Sequence, residues 1–261
     1  MLAELAILLP PLAAGALVLS SHLLLGEQVL KRGILFIDLA VAQLAALGSL
    51  LAQQQNLSSL QAILAGMGLA VAGALLIGYW CRRFPWQREA IIGLVYAGAA
   101  SVLLLVLAWD PHAGHRLSRS LNGDILWVNW SDMLPLALLT LAVAGFWYWQ
   151  ARRLTGWAFY PVFALLVSLS VPLLGVYLVF VTLIAPALVA QLSGGRWPGI
   201  LSALAGYVLG LLLAWRLDWP AGATVVLALL GTSIAAILLK APRRAYSPAG
   251  GASSNISSGS S

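Results

Sequence analysis

Lys31-Arg32-Gly33-Ile34-Leu35-Phe36-Ile37-Asp38-Leu39-Ala40-Val41-Ala42-Gln43-Leu44-Ala45-Ala46-Leu47-Gly48-Ser49-Leu50-Leu51 is the stretch on which the fold turns. A basic pair, Lys31 and Arg32, leads into an apolar helix that carries one carboxylate, Asp38, and one amide, Gln43. On insertion scales a carboxylate within a lipid-spanning segment costs roughly 2.5–3.5 kcal/mol, so it faces protein or a water-filled path. Two readings of Asp38 stand side by side. Either it caps or bonds a neighbouring helix, or it lines a transport path.

The rest of the chain agrees that lipid is the solvent. Of 261 residues, 61% are hydrophobic and only 8% are charged, whereas soluble domains carry about 25% charged residues. Long apolar runs without strict alternation point to a helical bundle rather than a barrel. The formal charge of +6 comes from basic residues scattered in short loops, which excludes a nucleic-acid surface. The lone Cys81 excludes an internal disulfide and a thiol cluster. No basic segment precedes the first apolar run, so no cleaved signal peptide is expected. Residues 1–241 are expected to form the transmembrane domain, and 242–261, rich in Pro, Gly and Ser, a disordered tail.

Spanning segments need about 17–25 apolar residues. They fall near 3–25, 33–53, 58–80, 89–109, 133–150, 157–174, 175–192, 198–215 and 220–240. The pair covering 157–192 reads as two short helices broken at Pro172 and Gly175, or as one span plus a re-entrant piece. With Lys31 and Arg32 inside, alternation also places Arg82, Arg83, Arg88, Arg152, Arg153, Arg196, Lys240, Arg243 and Arg244 inside. Only Arg116, Arg119 and Arg216 fall outside, as the positive-inside rule requires. The expectation is an all-α polytopic bundle of about nine spans, N-terminus out and C-terminus in, with eight as the alternative. Trp and Tyr near the span ends read as interfacial anchors, and the glycine runs Ala65–Gly68 and Tyr96–Ala100 as close helix contacts.

Polar chemistry is sparse. The outer loop Asp110–Asp132 holds His112 and His115, three apart, with Asp110 as a third candidate ligand for a divalent ion. The competing reading is a pair of solvated loop histidines. Ile125–Trp130 reads as a short interfacial helix. His22, near the inner end of the first span, has no assigned role. Pro186 removes a backbone hydrogen bond within the seventh span and kinks it, as in helices that line transport paths.

Six stretches in order, LLPPLAAG (8–15), RGILFIDLAVAQLAALG (32–48), REAIIGLVYAGAASVLLL (88–105), PHAGH with GDILWVNWSD (111–132), GVYLVFVTLIAPALVAQL (175–192) and LDWPAGATVVLAL (217–229), resemble the ABC-3 family. These are permease subunits of zinc- and manganese-type ABC importers, related to the type II fold of vitamin B12 and ferric-siderophore permeases. The resemblance covers residues 1 to about 240. It implies a permease without covalent chemistry, in the bacterial cytoplasmic membrane. It also implies a homodimer, a cytoplasmic ATPase subunit that holds ATP, and an extracytoplasmic substrate-binding protein. No covalently bound cofactor is expected, and a divalent metal is the expected cargo. On this reading Asp38, Gln43 and Pro186 serve the path, and His112, His115 and Asp110 meet metal or binding protein. Arg152 and Arg153 lie where the ATPase docks.

Two departures stand out. The family's second span usually reads close to GDALSHA, with Asp and His one turn apart, whereas here Ile37–Gln43 offers no carboxylate–imidazole pair. Asp38 and Gln43 are five apart, about 140° around a helix. The family's inner coupling segment, which resembles DPELARALG, has little room between Trp149 and Gly156. That shortness motivates a second reading, an ATPase-independent facilitator or accessory subunit. An intramembrane enzyme is the reading from another class. It lacks a second catalytic group at the depth of Asp38.

Overall fold

In the computed structural model, residues 7–108, 125–149 and 156–240 are described, with the side chains of 146–149 and 240 left aside. Among these residues the chain forms nine α-helices and three 3₁₀ turns, with no strand. The helices are α1 (Leu9–Arg32), α2 (Ile37–Gln54), α3 (Ser59–Arg83), α4 (Arg88–Ala108) and α5 (Trp130–Trp149). They continue with α6 (Phe159–Leu174), α7 (Val176–Ser193), α8 (Arg196–Leu217) and α9 (Ala221–Lys240). The all-helical bundle expected from the sequence is what is found.

Seven of the nine are long and apolar enough to cross a membrane. Helix α2, diluted by Asp38, Gln43, Gln53 and Gln54, falls short, and the described side chains of α5, Trp130–Gly145, form an apolar helix as well.

Boundaries follow local chemistry more than hydropathy. The first helix does not end near residue 25 but continues to Arg32, because Glu27 and Gln28 are polar without being helix breakers. Gly33, at φ 62°, stops it. Its N–H closes on Val29 and Leu30 carbonyls, and the basic Lys31 and Arg32 sit on the negative end of the helix dipole. The stretch Lys31–Leu51 therefore straddles a helix end, and α2 begins only at Ile37. Ser58 and Gln61 form a reciprocal capping box that starts α3. Gly175, at φ 87°, separates α6 from α7, so 157–192 is two short helices. Pro172 lies within the last turn of α6 without ending it.

The hairpins α2–α3 and α8–α9 are each closely packed. Helix α7 lies against α1, α8 and α9, while α6 packs on α3, and α4 on α2. Helices α1, α6 and α7 form the interior, and α3, α4 and α9 the periphery. A Cβ added at Gly26 would run into the Leu183 carbonyl, so α1 and α7 touch backbone to backbone there. Of the glycine runs read as contacts, Gly66 meets Ser49 and Ala45 of α2, but Gly68 and Gly98 have open space.

Candidate functional site

Asp38 is buried, 2% exposed, in the first turn of α2. Its carboxyl group sits at the N-terminal end of the helix, where the helix dipole favours negative charge. Oxygen Oδ1 has no hydrogen-bond partner among the described residues. Asp38 is thus a helix-start carboxylate, not the mid-span one that a helix beginning near residue 33 implies. The turn ahead of it is held from two sides. Phe36 stacks on Phe180 of α7 at 6.0 Å, and the Leu35 N–H donates to Glu89 Oε1 of α4 at 2.6 Å. Gln43 is buried one and a half turns further along α2. Both are covered despite pointing about 140° apart, because α3, α4 and α6 all pack on α2.

A first span ending near residue 25 leaves His22 at its inner end, without a role. With α1 at Leu9–Arg32 it lies mid-helix and fully buried. Its Nδ1 is 3.1 Å from the Val18 carbonyl and 3.0 Å from Ser21 Oγ, while Nε2 has no partner among the described residues. Pro186 is buried within α7, which continues through it to Ser193. Four residues earlier, Thr182 Oγ1 lies 2.6 Å from the Tyr207 hydroxyl of α8.

At the end of the bundle that carries Lys31 and Arg32, Arg196 grips Glu27 bidentately at 2.5 and 2.7 Å. Arg88 donates to the Arg32 carbonyl at 2.6 Å, and the Arg32 guanidinium lies 4.4 Å over the Phe159 ring. The last acid of GDILWVNWSD acts locally. Asp132 Oδ2 accepts the Asn129 N–H at 3.1 Å, which secures the start of α5. Only the Asn-x-x-Asp spacing ahead of an apolar run could have signalled that role. Ahead of α5, Ile125–Trp127 is a single 3₁₀ turn rather than a longer interfacial helix, with Ile125 buried and Trp127 exposed.

Three cavities of a few hundred cubic ångströms lie among the described residues. An apolar one of about 680 Å³ opens between the starts of α7 and α9, beside Tyr177, Phe180 and Pro220. One of about 350 Å³ lies between α2, α3, α5 and α6, with Ser49, Ser131, Asp132 and Ser168 on its walls. A third, about 320 Å³, adjoins Glu27 and Arg196. Asp38, Gln43 and Pro186 line none of these three. Among the described residues, no three His, Cys, Asp or Glu side chains gather as a metal-binding group. The expected ligands Asp110, His112 and His115, and the docking candidates Arg152 and Arg153, lie outside the described residues.

The model of the ABC 3 transport family matches residues 4–192. Among curated proteins, none matches the chain. Among solved structures, PsaBC from Streptococcus pneumoniae, in complex with a Fab, superposes with TM-score 0.68 at 20% identity, over 94% of this chain and 98% of that one. A second, described as a putative metal-chelate type ABC transporter in an inward-facing conformation, gives TM-score 0.54 at 15% identity, over 89% of this chain and 76% of that one. At these identities the two likenesses establish the fold.

Proposed function

Because this chain belongs to the ABC 3 transport family, a family of membrane transport proteins and not enzymes, we propose that it is the permease subunit of an ABC importer for a divalent metal ion or small metal complex. The observation that carries this reading is the family match over residues 4–192 on a multi-pass helical bundle. Zinc or manganese is the proposed cargo, and the bacterial cytoplasmic membrane the proposed location. Two copies form the pathway, a separate cytoplasmic ATPase drives it, and an extracytoplasmic binding protein delivers substrate. The metal-chelate description of the second structural neighbour is consistent with that cargo.

Asp38, Gln43 and Pro186 are the proposed path residues. Asp38 is the buried carboxylate with an unpartnered oxygen, in a turn tied to α7. A carboxyl oxygen and an amide oxygen suit a hard divalent cation. His112, His115 and Asp110 are proposed to meet the arriving metal or its binding protein, and Arg152 and Arg153 to meet the ATPase.

One observation favours a second reading. Only residues 150–155 separate α5 from the turn that opens α6, a short connection for coupling to an ATPase. The alternative is therefore an ATPase-independent facilitator, or an accessory subunit of the same fold. Affinity purification of the complex in mild detergent, with every copurifying protein identified, separates the two. A stoichiometric ATP-binding subunit supports the importer. A homodimer that takes up metal in vesicles without ATP supports the facilitator.

A further inference from the structure

The inner side of the bundle carries eleven of the fourteen cations by charge alternation, and Glu27 and Glu89 are its acids. Glu27 is engaged by Arg196, and Glu89 accepts the Leu35 N–H. Arg196 and Arg88 have the partners described above. At the elbow between α3 and α4 the pattern changes. Arg82 and Arg83 are exposed and make no ion pair among the described residues.

These two cations are set in an aromatic frame. The Arg82 guanidinium lies 4.4 Å over the Trp157 ring, which holds it at the start of α6. Arg83 lies 5.7 Å over Phe84. Trp80 and Phe84 stack at 5.7 Å with planes 12° apart, and both are exposed. At the tip of the elbow, in the turn Pro85–Gln87, Trp86 is 97% exposed. A tryptophan so bare on a polar protein surface wastes apolar area, but at a bilayer interface its amphipathic ring is in its preferred place. The elbow also joins two of the least covered helices: 28% of the apolar window of α3 is buried, and 17% of that of Pro85–Ala108. Little protein of this chain covers them.

We propose that Arg82 and Arg83, framed by Trp80, Phe84, Trp86 and Trp157, bind the phosphate headgroup of an anionic phospholipid of the inner leaflet. The guanidinium forks match phosphate oxygens, and the stacked Trp80–Phe84 pair offers a wall to the glycerol and upper acyl chain. The inference depends on the membrane orientation and not on the transported cargo.

The test is native mass spectrometry of the purified full chain, titrated with phosphatidylglycerol, phosphatidylcholine or inorganic phosphate. Phosphatidylglycerol should bind and phosphatidylcholine should not, with inorganic phosphate failing to displace the lipid. Arg82→Gln with Arg83→Gln should weaken phosphatidylglycerol binding roughly thirtyfold, from the usual contribution of two basic residues at an anionic surface. Arg243→Gln with Arg244→Gln removes the same charge near the chain end and should leave binding unchanged. Trp86→Ala, at a site too exposed to affect folding, should weaken it several-fold. The proposal is overturned by equal loss in both double variants, by equal binding of phosphatidylcholine, or by displacement with inorganic phosphate. It is equally overturned if Arg82→Gln with Arg83→Gln releases a copurifying protein while lipid binding persists, which would mark the elbow as a protein-docking surface.

Discussion

Thr182 Oγ1 of α7 and the Tyr207 hydroxyl of α8 lie 2.6 Å apart in a contact closed to solvent. The position within α7 is not incidental. Pro186, four residues on, has no N–H to give the Thr182 carbonyl, so the backbone ladder is weakest where this side-chain brace sits. Gly15 of α1 completes the junction, since a Cβ there would come within 2.5 Å of the Tyr207 ring. The first helix and two consecutive later ones, α7 and α8, meet at one aromatic residue.

Tyr207→Phe keeps the ring and removes the brace. Interhelical hydrogen bonds in membranes average about 0.6 kcal/mol and reach about 1.7 kcal/mol. The expected result is a modest fall in the midpoint of thermal unfolding in detergent. Thr182→Val combined with Tyr207→Phe should cost less than the sum of the single changes, because both remove one bond. Strict additivity would show that the two side chains do not act as a pair.

Gly26 and Gly68 make opposite predictions for one chemical change. Gly26→Ala forces α1 away from the Leu183 carbonyl and should destabilise by about 1–3 kcal/mol, as overpacking does. Gly68→Ala meets open space inside α3 and should be neutral or stabilise by roughly 0.5–1 kcal/mol through helix propensity. Parallel unfolding curves decide, and a harmless Gly26→Ala would contradict the close approach.

The Glu27–Arg196 pair should matter little for stability despite its bidentate geometry. Arg196 is 54% exposed, and exposed pairs contribute about 0.2–1 kcal/mol, less with salt. Arg196→Ala should shift unfolding slightly at low salt and not at high salt. A large salt-independent loss would mean the contact is shielded in the assembled protein.

Asp38 separates capping from transport. Asp38→Asn keeps a polar side chain at the start of α2 and gives up about 0.3–1 kcal/mol of charge–dipole interaction, so the protein should remain folded. If the carboxylate lines the path, ATP-driven metal uptake by the complex should fall at least about tenfold, or roughly 1.4 kcal/mol in the barrier. Uptake at the wild-type rate with Asp38→Asn would leave Asp38 as a helix-start residue alone.

Much of the architecture is legible in the chain, and for local reasons. Apolar runs and Gly175 between two of them are enough to count the nine helices found among the described residues. The departures are local too. The first helix runs past its apolar stretch to Gly33, which moves His22 to mid-span and Asp38 to the start of α2. Hydropathy marks where lipid begins, whereas caps mark where a helix ends.

The sequence by itself determined the solvent, the helical class and the family pattern, because partition into lipid and backbone closure act residue by residue along the chain. Only the tertiary structure decided which polar groups meet. Glu27 reaches Arg196 across 169 positions, and Thr182 finds Tyr207 across 25. Helix packing sets such pairs: α1 closes on α7 at Gly26, and no periodicity within either segment records which face the other will present.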